Sequence, residues 1–203
     1  MTAAATPMGG FPSAVVVIGA STGGPPVIER IVRALPADFP APVAICQHMS
    51  EGFVEQWAER LDPLCWLTVK EAGNGEALEK GTVYIARIGR HMRFFRDGLA
   101  PRIRLDHDTA ASTHVPCIDV TFTSSAEVFG SRALGVLLTG LGADGSNGLL
   151  ALRRTSAYTI VEDPATAVAP SMPASALALG AVVETVPTAD LPKVIVERAS
   201  GRY

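Results

Sequence analysis

The feature that most constrains the fold is the run at residues 14–18 (AVVVI), which passes directly into Gly19-Ala20-Ser21-Thr22-Gly23-Gly24 and then Pro25-Pro26. An unbroken apolar, mostly β-branched run with no polar alternation suits a strand covered on both faces, as in parallel sheets. The glycines supply a sharp turn, and prolines suit the first positions of a helix. Beyond them Val27, Ile28, Ile31, Val32 and Leu35 fall on one side of a helical pattern, with Glu29, Arg30 and Arg33 on the other. A strand buried on both faces needs helices on both faces, so the first 35 residues already ask for a layered α/β fold.

The alternation continues. Residues 43–47 (VAICQ) read as a second buried strand ending before His48, and 51–61 as an amphipathic helix. Between 67 and 105 the pattern changes to short extended pieces broken by Asn74-Gly75, Gly81, Gly89 and Asp97-Gly98, which reads as a β-hairpin-rich insertion. Helix is then expected over 119–129, strand over 133–138, a glycine-rich loop over 140–148, and helix over 149–154. Strand 158–161, helix 171–179, strand 182–186 and helix 191–199 complete the chain. The expected fold class is α/β, doubly wound, with a mostly parallel sheet and helices on both faces. At roughly 150 residues per domain, 203 residues make one domain over 13–203, preceded by a flexible arm at 1–12.

Composition removes several classes of function. With 48% hydrophobic and 18% charged residues the chain can bury a core. A net charge of −3 gives no general attraction to nucleic acid or anionic lipid. Cys46, Cys65 and Cys117 are odd in number and form no CxxC pair, so neither a disulfide framework nor a zinc site is expected. No apolar run reaches the ~18 residues of a membrane span, and the start lacks a signal peptide. The expectation is a cytoplasmic protein with no metal.

In open α/β sheets, sites form outside the carboxyl ends of the strands. Three residues there stand out: Ser21, His48 and Asp144. Ser21 sits in Gly19-Ala20-Ser21-Thr22-Gly23, a G-x-S-x-G pattern in strand–turn–helix context that suits an exposed nucleophile. It equally suits an N-cap serine or an anion-cradling turn, although the glycine spacing of dinucleotide and P-loop motifs is absent. His48 alone could cap a loop, and Asp144 alone could be a turn residue. Together, from the ends of three strands, they supply the nucleophile, base and orienting carboxylate of a serine hydrolase.

The runs VVVIGASTGG, ICQHMSEGFVEQWAERL, GTVYIA with His91-Met92 after it, Pro116-Cys-Ile-Asp-Val120, LGVLLTGLGADGSNGL and Ser171-Met-Pro173 resemble, in order and over nearly the whole chain, the catalytic domain of CheB-type chemotaxis receptor methylesterases. The resemblance implies a triad of Ser21, His48 and Asp144, with Ser21 Oγ within hydrogen-bond reach of His48 and His48 in turn of Asp144. It implies hydrolysis of glutamyl methyl esters on the cytoplasmic helices of chemoreceptors, deamidation of receptor glutamines, and no cofactor. The order Ser, His, Asp also departs from that of α/β-hydrolases. Backbone N–H groups near Thr22 and in the Leu141-Gly142 turn are the expected oxyanion donors. A non-catalytic chemosensory adaptor keeping the fold is the alternative.

Three positions depart from the family pattern: Leu141 where methionine is common, Arg87-Ile88-Gly89 after the YIA strand, and Pro170-Ser171 before Met172-Pro173. These bear on substrate fit. The family's customary N-terminal receiver does not fit into 203 residues, so either the receiver has been cut away or, as expected here, the chain is a stand-alone methylesterase that a separate protein can regulate. Finally, Arg87, Arg90, Arg93, Arg96, Arg102 and Arg104 crowd the insertion with Asp97 as the only acid among them. Such a cluster either protects a strand edge or docks a Glu-rich receptor helix, with Arg90, Arg93 and Arg96 as the docking residues. His107 between Asp106 and Asp108 reads as a solvated turn, and His114 as a residue at the cleft.

Overall fold

The computed structural model describes residues 12–50, 52–107 and 114–201. The arm expected at 1–12 therefore lies outside the described residues except for Pro12, which is buried. The elements follow the order β1 (Val15–Ala20), α1 (Gly24–Ala34), β2 (Val43–Gln47), α2 (Phe53–Leu61), β3 (Thr68–Glu71), β4 (Thr82–Ile85), β5 (His91–Asp97) and β6 (Ala100–Asp106). They continue with α3 (Ile118–Phe129), β7 (Ala133–Leu137), α4 (Ser146–Arg154), β8 (Tyr158–Glu162), α5 (Ser171–Ala178), β9 (Glu184–Val186) and α6 (Leu191–Ala199).

Seven strands form one sheet in the order β3-β4-β2-β1-β7-β8-β9, and every pairing in it is parallel. The unbroken apolar run of β1 has the consequence its composition demands. Val16, Ile18 and Ala20 join a core with Ile28 and Ile31 of α1, Trp57 and Leu61 of α2 and Ile195 of α6. Val15 and Val17 join a second core on the opposite face, with Phe122 and Phe129 of α3, Leu149 and Leu152 of α4 and Met172 of α5. Each strand residue is covered from one side or the other, so no polar alternation is needed.

The insertion carries the expected antiparallel hairpin, and its remaining strands extend the main sheet. Among the described residues only β5 and β6 form an antiparallel hairpin, turning at Gly98-Leu99. β3 and β4 belong to the main sheet as its parallel edge, although the segment joining them, residues 72–81, holds no helix. That crossover runs against β6: Gly75 N–H donates to Ile103 O (2.8 Å), Ile103 N–H to Glu76 O (2.8 Å) and Leu78 N–H to Pro101 O (2.9 Å). The hairpin thus takes the place of a crossover helix, burying Met92, Phe94 and Ile103 in the second core. Asn74-Gly75 is a real turn, with Gly75 left-handed at φ 77°, but it does not join neighbouring antiparallel strands.

Tyr84 of β4 fixes the crossover from beneath. It is 1% exposed, its hydroxyl donates to Ala77 O (3.1 Å) and accepts from Glu79 N–H (3.0 Å). Tyr84→Phe removes both bonds while keeping the ring, and is expected to lower unfolding free energy by about 1 kcal/mol, measurable by urea denaturation. An unchanged midpoint would show that the crossover holds without this tie.

Candidate active site

The parallel register brings the ends of three strands together. Ala20 pairs with Gln47, and His48 N–H donates to Ala20 O (3.0 Å), so the residues that follow, Ser21 and His48, emerge side by side. On the other flank Leu138 N–H donates to Gly19 O (2.8 Å) and Ser21 N–H to Thr139 O (3.0 Å). β1 is where the winding of the sheet reverses: α1 leads from β1 to β2 over one face, and α4 leads from β7 to β8 over the other. A crevice opens at such a point.

Ser21 is half-buried in a turn closed by Gly24 N–H donating to Ser21 O (2.9 Å). The N-cap position of α1 belongs to Gly23, with no side-chain cap, so Ser21 does not serve as an N-cap. Thr139, wholly buried, anchors the turn from below. Its hydroxyl donates to Thr22 O (2.9 Å) and accepts from Ala169 N–H (2.8 Å). Its N–H donates to the buried carboxylate of Glu162 (2.7 Å).

His48 Nε2 lies 2.9 Å from Asp144 Oδ2. The carboxylate can only accept when ionised, so Nε2 carries the proton and Nδ1 is the free lone pair of the neutral ring. Nδ1 is buried and has no hydrogen-bond partner. This is the reverse of the chymotrypsin-type arrangement, in which Nδ1 faces the carboxylate. It also means that Ser21 Oγ is not hydrogen bonded to His48: the base–carboxylate link is made and the nucleophile–base link is not. Such bonds commonly tighten only with substrate in place.

Asp144 is the most heavily ligated group of the site. Besides His48 it accepts from Ile118 N–H (2.8 Å), Asp119 N–H (2.9 Å) and the thiol of Cys117 (3.1 Å). Ile118 and Asp119 open α3, whose own N-cap residue, Cys117, makes no side-chain cap. Burial by itself would raise the carboxyl pKa, but the bonds from His48, Asp119, Ile118 and Cys117 outweigh it and hold Asp144 at about 2. Burial, with the Asp144 charge adding to it, pushes Cys117 up to about 12, so it stays a neutral S–H donor. Asp119 is pushed up by burial and, less strongly, by Asp144, against the Gly148 N–H bond that holds it down.

His114, which is exposed, stacks on His48 with ring centroids 4.3 Å apart and planes 8° from parallel. The ligand atoms of His48, His114 and Asp144 lie within 4.8 Å of one another. Stacked rings, however, send their in-plane lone pairs side by side rather than toward one point, and His48 Nε2 is already bonded to Asp144. The arrangement is that of a hydrogen-bonded base with a ring packed on its face. His107 is exposed; its neighbour Asp106 is held by Arg93 and Arg104.

Thr22, Leu141 and Gly142 are all exposed. Among the described residues none of their backbone N–H groups donates a hydrogen bond. Leu141 is 61% exposed, so its departure from methionine bears on the surface rather than the core. The arginines of the insertion are more engaged than their count suggests. Arg87 meets Glu71 (3.4 Å), Arg93 and Arg104 meet Asp106 (3.2 and 2.9 Å), and Arg102 meets Asp97 (3.0 Å). Arg96 donates to Val128 O (2.9 Å), and Arg90 is half-buried. Two contributors escaped the sequence reading: Cys117, bonded to Asp144, and Gln47, whose signal was a lone polar residue closing an apolar strand.

A family model described as CheB methylesterase matches residues 16–195. The chain belongs to this family. It is 46% identical over 188 residues to a protein of Bordetella bronchiseptica named protein-glutamate methylesterase/protein-glutamine glutaminase, covering 92% of this chain and 53% of that protein. A Chromohalobacter salexigens protein of the same name is 44% identical over 190 residues, 93% of this chain and 53% of its own length. The chain therefore spans about half the length of these curated relatives. The crystal structure of the Thermotoga maritima CheB methylesterase catalytic domain superposes with a TM-score of 0.87 at 36% identity, covering 91% of this chain and 98% of that one. The doubly wound fold is that of the CheB catalytic domain.

The depressed pKa of Asp144 predicts an acid-stability signature. A carboxyl lowered from 3.8 to about 2 stabilises the fold fully above pH ~4, and this contribution, about 2 kcal/mol, is lost as pH falls from ~4 toward ~2. Asp144→Asn should flatten the stability profile across that window, measured by urea denaturation at several pH values. Parallel profiles for the two proteins would show that Asp144 titrates alike folded and unfolded.

Proposed function

We propose that this chain is a serine hydrolase that removes methyl esters from glutamyl side chains of chemoreceptors and deamidates receptor glutamines. The observation that carries the reading is the His48–Asp144 hydrogen bond beside Ser21, with His48 Nδ1 left as an unpartnered base. The names of the matched relatives support both activities.

In this mechanism His48 Nδ1 takes the proton of Ser21 Oγ as the oxygen attacks the side-chain carbonyl carbon. Asp144 fixes the tautomer and stabilises the imidazolium that forms. The tetrahedral oxyanion is held by backbone N–H groups at Thr22 and the Leu141-Gly142 turn, each worth about 3 kcal/mol of barrier. Collapse expels methanol, or ammonia from a glutamine, which takes the proton from Nδ1. Water, deprotonated by the same nitrogen, attacks the acyl-enzyme and releases the glutamate and Ser21. This route uses no cofactor.

The partner is the methylated cytoplasmic helix of a chemoreceptor, which places the enzyme in the cytoplasm. Neither nucleic acid nor membrane insertion enters the scheme; among the described residues no helix is long and apolar enough to cross a membrane. A separate protein regulator fits the same scheme. Docking falls to the hairpin through Arg90, Arg93 and Arg96. Of these Arg96 bonds only carbonyl groups among the described residues and so keeps its charge uncompensated there.

Ser21→Ala is expected to fold with an unchanged circular dichroism spectrum and to release no methanol from methylated receptor, measured as volatile product; retained release would exclude the covalent route. Reversing Arg90 and Arg96 to Glu should lower turnover on intact receptor several-fold at low salt, with the difference closing as salt screens the attraction. Equal turnover at low salt would remove the hairpin from docking.

A further inference from the structure

The relative placement of nucleophile and base depends on a residue that touches neither reacting atom. Gln47 closes β2 and is 1% exposed. Its Nε2 donates to Ser21 O (2.9 Å) and to His48 O (2.8 Å), spending both amide protons on the two residues that carry the chemistry. Both neighbours are carbonyl acceptors, so the NH2 edge must face them; a flipped amide would set oxygen against oxygen.

The other end of the amide is unusual. Gln47 Oε1 is buried and has no hydrogen-bond partner. It lies against Gly24, where an added Cβ would stand 2.1 Å from this oxygen and 2.7 Å from Ala20 Cβ. Gly24 does not have a left-handed backbone, so glycine is required here for space: it is the gap into which the carboxamide fits. A buried carbonyl without a partner is costly, and a methionine or leucine of similar size would avoid that cost. What the amide alone supplies is the pair of bonds to Ser21 and His48.

We infer that Gln47, accommodated by Gly24, is a positioning residue that sets the separation of Ser21 and His48 for proton transfer. The inference rests on the reading of these two as nucleophile and base. Fixing both carbonyls from one rigid amide removes the independent drift of two loop residues. Sub-ångström to 1 Å misplacement of reacting groups is enough to cost up to about a hundredfold in rate.

The test compares wild type with Gln47→Met, which keeps the volume and loses both donors, and Gln47→Glu, which keeps the shape and sets an acceptor against the two carbonyls. Three quantities are read: kcat and KM for methanol release from a methylated receptor fragment, the rate at which a fluorophosphonate probe labels Ser21, and Tm. Positioning predicts a roughly ten- to hundredfold fall in kcat, a KM within twofold of wild type, and slowed labelling in parallel, for whichever variant folds with near-native Tm. A structural role alone would lower Tm and leave kcat per folded molecule within twofold, and that result overturns the inference. If wild type neither labels at Ser21 nor releases methanol, the hydrolase reading itself fails and the inference falls with it.

Discussion

A largely buried carboxylate, that of Asp144, organises this molecule. Taking a charge out of water costs several kcal/mol unless its oxygens are fully bonded, and Asp144 is bonded from two directions, by His48 and by the opening of α3. The helix supplies two backbone N–H groups and the favourable end of its dipole, and in return receives the cap that its own sequence does not provide. One set of bonds thus starts a helix, stabilises a largely buried charge and orients an imidazole. The glycine-rich loop after β7 is the segment that carries the carboxylate there, which is why it must turn so sharply between a strand and a helix.

The sheet performs the complementary task. Parallel pairing sets β1, β2 and β7 in register with their carboxyl ends level, and the reversal of winding at β1 leaves that level edge uncovered. Beneath it lie buried polar side chains, Gln47 under one side of the Ser21 turn and Thr139 and Glu162 under the other. The turn is therefore suspended between two strands, and its serine is aimed by the core rather than by the surface.

Much of this was legible in the chain. β1, its glycine turn and α1 follow from an apolar run, a glycine cluster and paired prolines, all local signals, and α6 occupies 191–199 as its periodicity requires. The edge of the sheet was not legible. Asn74-Gly75 announces a turn, but whether the flanking strands pair with each other or through a crossover depends on β6, which comes later in the chain. Counting arginines likewise overstated the free charge of the insertion, because charge counting does not see pairing, and Glu71 and Asp106 lie outside the window in which the excess was counted. The triad residues could be nominated from their places after strands. That Nε2 rather than Nδ1 of His48 faces the carboxylate depends on a contact across 96 positions of sequence, which no local pattern encodes.

The hairpin acquires a different standing once its attachments are followed. Phe94 N–H donates to Ser124 Oγ, Thr121 Oγ1 to Met92 O, and Cys117 N–H to His91 Nδ1, so β5 is stitched along the helix that holds Asp144. An excursion that looks like a removable appendage is in fact part of the wall against which the acid is braced. A chimera that exchanged this hairpin for a relative's would transplant a surface, but it would also re-seat the start of α3. Any change of specificity obtained that way would be entangled with a shift of the carboxylate that orients His48.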